Sequence, residues 1–204
     1  MILVGRYLSP FVRRTAVVMK LLDLPYEQRE LSTADQADEI AKFNPVGRVP
    51  ALVLDDGEVL VDSAAIIDHL LETADPEHRL LPAGGPDRRE VLRLVATGLG
   101  VCKKGVASSY ERNRRPEDKI YQDWVDRVDG QSAGGLAALD QAASGRDWLC
   151  GDGITLADIT AAVAHDFIGI AVPYLMQGEG YPALAALSAR CAELPAFAET
   201  RFRR

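Results

Sequence analysis

The sequence predicts a chain of mixed class in two parts, an α/β unit over residues 1–80 and an all-α helical bundle over residues 87–204. Three observations carry that reading. Apolar residues alternate or run in short blocks before residue 80, and recur at helical spacing after it. Asp75-Pro76-Glu77, followed by Leu81-Pro82-Ala83-Gly84-Gly85-Pro86, holds too much proline and glycine to continue a helix or a strand ladder. Charge divides at the same place, with eight basic against fourteen acidic side chains up to residue 80 and fifteen against sixteen beyond it.

Each element has its own justification. Ile2-Leu3-Val4, closed by Gly5, suits a short buried strand. Pro10 fits the first turn of a helix, where its missing N–H is no loss, and Val12, Ala16, Met19 and Leu22 follow at helical spacing, so a helix over 10–22 is expected. Tyr26 to Leu31 alternates as a second strand, and Asp35 to Phe43 reads as a short polar helix. Residues 51–54 and 58–61 flank Asp55-Asp56-Gly57 as a hairpin. Ser63 opens a helix that buries Ile66, Ile67, Leu70 and Leu71 on one face. The order is βαβαββα. Past the linker, Val91, Leu92, Val95 and Leu99 lead one helix, and Trp124, Val125, Val128, Leu136 and Leu139 mark another. Thr155-Leu156-Ala157-Asp158 fits a capping box, with Ile154 and Ile159 placed as its hydrophobic staple. Shorter helices are expected over 183–191 and 196–202.

Composition excludes several classes. The 204 residues are 48% apolar and 26% charged, with a net charge of −7, and no long basic run offers itself to nucleic acid. Cys102, Cys150 and Cys191 are odd in number, far apart and without metal-ligand spacing, so they read as buried thiols in a reducing cytosol and no metal site is expected. His69, His78 and His165 have no ligand spacing either. The apolar start is too short for a signal peptide and no apolar run reaches 18 residues, so a soluble, cytoplasmic protein without membrane contact is expected.

Three short stretches carry chemistry. Asn44-Pro45-Val46-Gly47-Arg48-Val49-Pro50 precedes the hairpin, and its proline is either a plain strand entry or a cis bond that leaves the N–H and C=O of Val49 free for a bound peptide. Asp62-Ser63 is either a helix cap or a pair that recognises an α-amino acid group, the hydroxyl and helix N-terminus taking the carboxylate and the Asp the ammonium. Ser9-Pro10-Phe11-Val12-Arg13-Arg14 opens a helix. Either its serine caps and its arginines are solvated, or hydroxyl, helix dipole and positive charge together lower the pKa of a bound thiol.

Taken together, these stretches in this order, with Gly151-Asp152-Gly153-Ile154-Thr155-Leu156-Ala157-Asp158-Ile159 in a helical remainder, resemble the cytosolic glutathione transferase family. The resemblance spans essentially the whole chain and looks closest to bacterial members with a Ser-Pro-Phe-Val-Arg site. It implies a thioredoxin-like fold for residues 1–80 and a helical domain contributing the electrophile site. Ser9 then matches the hydroxyl that stabilises the glutathione thiolate, and Val49, before an expected cis-Pro50, the residue that pairs with the cysteinyl backbone. Asp62 and Ser63 match the pair holding the γ-glutamyl end; Arg48 sits near the expected glycyl carboxylate, and Phe11 lines the site. Tyr7 ranks second to Ser9 as activating hydroxyl and is placed with Tyr110, Glu111 and Arg114 at the electrophile site. The implied function is conjugation of glutathione, as co-substrate and without a further cofactor, to small electrophiles in detoxification, by a homodimer. Two alternatives remain: a glutathione-dependent peroxidase or disulfide reductase, and a non-catalytic glutathione-binding or interaction protein. No cysteine occurs among the first 101 residues, which excludes a mixed disulfide with the protein at the Ser9 position.

Overall fold

The computed structural model describes residues 1–177 and 180–202, and the chain divides into two compact units, Met1–Leu80 together with the chain from Ala192 onward, and Leu81–Cys191. The range 87–204 expected for the helical domain includes residues 178–179 and 203–204, which lie outside the described residues.

In the first unit, β1 (Ile2–Val4), β2 (Glu27–Arg29), β3 (Ala51–Val53) and β4 (Val59–Val61) form one sheet in the order β2-β1-β3-β4. The β1–β2 pair is parallel because helix α1 (Pro10–Leu21) crosses between them; the other two pairs are antiparallel. The β3–β4 hairpin turns where Gly57, at φ 91, and the Asp56 carboxylate accepting from the Glu58 N–H reverse the chain. Helices α2 (Ala37–Ala41) and α3 (Ser63–Ala74) complete the expected βαβαββα order. Leu3, Val4, Ala51 and Leu52 in the sheet, Val12, Ala16 and Met19 in α1, and Ile66, Ile67 and Leu70 in α3 are all essentially inaccessible.

The second strand is shorter than expected because β1 offers only three residues for pairing before Gly5, at φ 125, turns away. Helix α2 starts late, since the N–H groups of Asp35 and Gln36 both bond to the Ser32 carbonyl in a preceding turn.

The second unit is built on α4 (Gly85–Arg114), α5 (Gln122–Ala143), α6 (Leu156–Ala171) and α7 (Pro182–Ala192), with single turns of tighter helix at Glu117–Lys119 and Pro173–Met176. Both α5 and α6 pack on α4. Close approach to α6 is possible because Gly105 has no side chain: a Cβ there would lie 2.4 Å from Ile168 Cδ1. The capping box is present, with the buried Asp158 carboxylate accepting from the Thr155 N–H and hydroxyl and from the Leu149 N–H at 2.7–2.8 Å. Of the apolar residues that lead these helices, Leu92 and Trp124 are about 40% exposed, and the buried stripes run through Val91, Leu94 and Val95 and through Val125 and Val128.

The final helix, α8 (Pro195–Glu199), groups with the first unit rather than with the helical one. It packs on α1, where Glu199 accepts from Lys20 Nζ at 2.6 Å and the Phe197 ring lies 5.9 Å from the Arg13 guanidinium. A five-residue helix with two buried side chains has too little apolar surface to hold its place alone, so its neighbour decides where it belongs.

Candidate functional site

Ser9 ends the β1–α1 turn as the N-cap of α1. Its N–H donates to the Arg6 carbonyl at 3.0 Å and its carbonyl receives the first helical N–H, from Arg13, at 2.9 Å. The hydroxyl itself accepts only a long bond, 3.5 Å from the Val12 N–H, so its proton and one lone pair are not committed to the cap. Phe11 follows, half-buried.

The arginines after it are not solvated, which corrects that expectation. Arg13 and Arg14 are 6% and 1% exposed. Arg14 Nη1 donates to Ser63 Oγ at 3.1 Å, so a buried positive charge on α1 reaches the first residue of α3. Guanidinium charge beneath a helix N-terminus adds to the field of the helix and favours an anion there.

At that N-terminus Asp62 caps α3, its Oδ1 accepting from the Ala64 N–H at 2.8 Å. Its backbone has φ 70 and ψ 132, a conformation that a residue with a Cβ adopts at a cost of about 1–3 kcal/mol. Asp62 is exposed and Ser63 buried.

The Val49–Pro50 bond is cis. Among the described residues, neither the N–H nor the C=O of Val49 has a hydrogen-bond partner, while its side chain packs on the cluster of Val4, Leu31, Ile40 and Ala51. A residue anchored by its side chain with its backbone unpaired can add one strand-like contact to an extended peptide. Arg48 beside it is exposed, and its carbonyl accepts from Asn44 Nδ2 at 2.9 Å.

The Tyr7 hydroxyl is shared with that of Tyr26 at 2.8 Å, which occupies it within the first unit. In the helical unit, the Arg114 guanidinium lies 4.0 Å from the centre of the Tyr110 ring, and Tyr110 is 41% exposed. Glu111 differs from the other three candidates. It is 8% exposed, and its two oxygens accept from Arg115 Nε at 2.8 Å and from the Tyr121 N–H at 3.2 Å, so it fastens the α4–α5 turn. No group of three or more His, Cys, Asp and Glu side chains among the described residues is arranged to hold a metal ion.

Residues 3–78 match the family model described as glutathione S-transferase, N-terminal domain, and residues 109–195 the one described as glutathione S-transferase, C-terminal domain. A maleylacetoacetate isomerase of Rhizobium meliloti is 34% identical over 182 residues, covering 82% of this chain and 78% of that protein. The chain belongs to the glutathione S-transferase family. Among solved structures, a glutathione S-transferase from Methylobacterium radiotolerans in complex with glutathione sulfonate superposes with a TM-score of 0.92 at 29% identity, over 98% of this chain and 93% of that one. A second, from Methylobacillus flagellatus with glutathione bound, gives 0.90 at 28% identity over 98% of each chain. The transferase fold expected from the resemblance, a thioredoxin-like unit and an all-helical one, is present.

Three residues shape the candidate site in ways that the sequence did not disclose. Asn44, 4% exposed, accepts from the Val46 N–H, donates to the Arg48 carbonyl and so folds the turn that delivers Val49; an Asn directly before a proline was the available signal. Arg14 carried a signal in its place one turn into α1, but burial of a guanidinium is invisible in sequence. Gly5 separates Val12 from Val49: a Cβ there would sit 2.6 Å from Val12 Cγ2 and 2.9 Å from Val49 Cβ.

Proposed function

We propose that the protein conjugates the thiolate of glutathione to small electrophiles. The observation that carries the reading is the buried Arg14, which brings α1, opened by Ser9, to the N-terminus of α3, where Asp62 and Ser63 lie. On this reading Ser9 Oγ donates to the glutathione sulfur and, with the α1 N-terminus, lowers its pKa. Val49 pairs with the cysteinyl N–H and C=O beside Pro50. Asp62 takes the γ-glutamyl ammonium and Ser63 with the α3 N–H groups its carboxylate; Arg48 meets the glycyl carboxylate, and Phe11 lines the thiol. Tyr110 and Arg114 of the helical unit meet the electrophile, while Glu111 shapes the turn next to them. Glutathione is the co-substrate and no metal or other cofactor takes part. Relatives that the structure matches closely carry glutathione or its sulfonate, which supports the ligand. A two-fold dimer, a cytoplasmic location and a detoxifying role belong to the same proposal, and Val46, Val59 and Val61 are exposed apolar residues of the kind a second copy covers.

The 34% identical relative named maleylacetoacetate isomerase favours one further reading, isomerisation of an unsaturated acid by thiolate addition, bond rotation and thiolate loss. Purified protein assayed with glutathione against aryl halides, enones, hydroperoxides and cis-unsaturated dicarbonyl acids separates the readings. Conjugates that vanish in Ser9→Ala support the proposal; glutathione disulfide or an isomerised acid as the main product replaces it.

A further inference from the structure

The turn leading to Ser9 is tied at three successive residues, Gly5, Arg6 and Tyr7, to the chain segment 26–32. The Gly5 N–H donates to the Arg29 carbonyl at 2.9 Å, and Gln28 Nε2 donates to the Gly5 carbonyl at 3.0 Å. Arg6 Nη2 reaches Ser32 Oγ at 3.1 Å, and the Tyr7 and Tyr26 hydroxyls share a bond of 2.8 Å. Only then does the turn close through the Ser9 N–H. Tyr26 and Gln28 are two residues apart on extended chain and therefore share a face. We propose that Tyr26 and Gln28 are positioning residues for the reaction, setting where the Ser9 hydroxyl meets the glutathione sulfur. This rests on the reading of Ser9 given above.

Two further facts support it. Tyr26 is itself anchored: Lys20 Nζ lies 5.9 Å from its ring centre, and Lys20 pairs with Glu199 of α8 at 2.6 Å. Burial, with the Tyr7 hydrogen bond added, raises the Tyr26 pKa well above the ordinary tyrosine value, so the hydroxyl remains a neutral hydrogen-bonding group across the working pH range. The turn also has no slack, because Gly5 is wedged between Val12 and Val49. A turn released from Tyr26 or Gln28 shifts Ser9 against the Val49 backbone that registers the cysteinyl group. Hydrogen bonds weaken steeply with distance and angle, so the thiol loses stabilisation. The γ-glutamyl anchor at Asp62 and Ser63 belongs to α3 and is not tied to this turn by those bonds.

The test uses Tyr26→Phe and Gln28→Met, near-isosteric changes that each delete one polar contact, alone and in a Ser9→Ala background. Thiolate absorbance of bound glutathione is titrated against pH, and S-methylglutathione, which has no thiol, is bound in calorimetry. Each variant is expected to raise the bound thiol's pKa by about half a unit, to bind S-methylglutathione within about twofold of the parent, and to add nothing to the shift of Ser9→Ala. An unchanged titration in a folded variant overturns the proposal, as does an equal shift in the Ser9→Ala background. If one variant fails to fold, the other decides. Should the parent show no thiolate, or Ser9→Ala alone no shift, the reading of Ser9 fails and the inference falls with it; that failure is recognised in two proteins carrying neither change.

Discussion

Asp62 separates stability from binding in a way that two substitutions at one position can measure. Its carboxylate caps α3 through the Ala64 N–H at 2.8 Å while its backbone holds φ 70. Asp62→Ala removes the cap, at a cost of about 1 kcal/mol, and keeps a Cβ in the unfavourable conformation. Asp62→Gly removes the same cap but relieves about 1–3 kcal/mol of backbone strain, against roughly 0.5–1 kcal/mol for the added freedom of glycine in the unfolded chain. The glycine variant is therefore expected to be more stable than the alanine variant, by up to about 2.5 kcal/mol, in urea denaturation. On the proposed reading of Asp62, glutathione binding behaves differently: both variants lose one charged hydrogen bond worth about 1.5–3 kcal/mol, and calorimetry should show roughly 10- to 150-fold weaker binding for both. If Asp62→Gly regains the affinity that Asp62→Ala loses, the carboxylate does not hold the ligand and the effect on binding is structural.

Gly5→Ala should destabilise the first unit by about 2–3 kcal/mol, because the new Cβ meets Val12 Cγ2 at 2.6 Å and Val49 Cβ at 2.9 Å on a backbone with φ 125; an unshifted denaturation midpoint would show that the turn has room. Asp158→Ala leaves three buried donors without their acceptor and is expected to cost about 3 kcal/mol or more, read as a loss of urea midpoint. Burial pushes the Cys150 thiol from 9.0 up to about 11, so it is neutral at pH 8 with roughly a hundredth of an ordinary thiol's thiolate. As an acid whose folded pKa is raised, it leaves stability unaffected below pH 9 and favours unfolding only above it. Cys150 is only half-buried, against the expectation of three buried thiols, while Cys102 and Cys191 are buried; iodoacetamide should therefore modify the native protein slowly at pH 8 and quickly in urea, and rapid native labelling would contradict this.

What the sequence disclosed follows from how local each signal is. Helix α3 was legible because Ile66, Ile67, Leu70 and Leu71 declare a single face, and α6 because its capping box is a four-residue pattern; both are as expected. The cis Val49–Pro50 bond was expected from the family resemblance, since the residues around it left a plain strand entry equally open. Which of Val91 and Leu92, or of Trp124 and Val125, is buried was not legible, because two neighbouring apolar residues on a helix leave its rotation ambiguous by one position and only packing on the adjacent helix resolves it. The grouping of α8 with the first unit, the burial of Arg13 and Arg14, and the bonds from Tyr26 and Gln28 to the Ser9 turn all join residues distant in sequence. Periodicity carries no information about such pairs.

The central claim is that the Ser9 hydroxyl stabilises the glutathione thiolate, and thiolate absorbance of bound glutathione against pH tests it directly in Ser9→Ala and Tyr7→Phe. Among the described residues the Ser9 hydroxyl makes only a long cap bond, whereas the Tyr7 hydroxyl is occupied by Tyr26. Loss of the Ser9 bond should raise the bound thiol's pKa by about one unit or more, at roughly 1.4 kcal/mol per unit. Tyr7→Phe should give only the shift of a lost positioning bond, about half a unit. A titration that Ser9→Ala leaves unchanged, or that Tyr7→Phe moves further than Ser9→Ala does, would contradict the assignment.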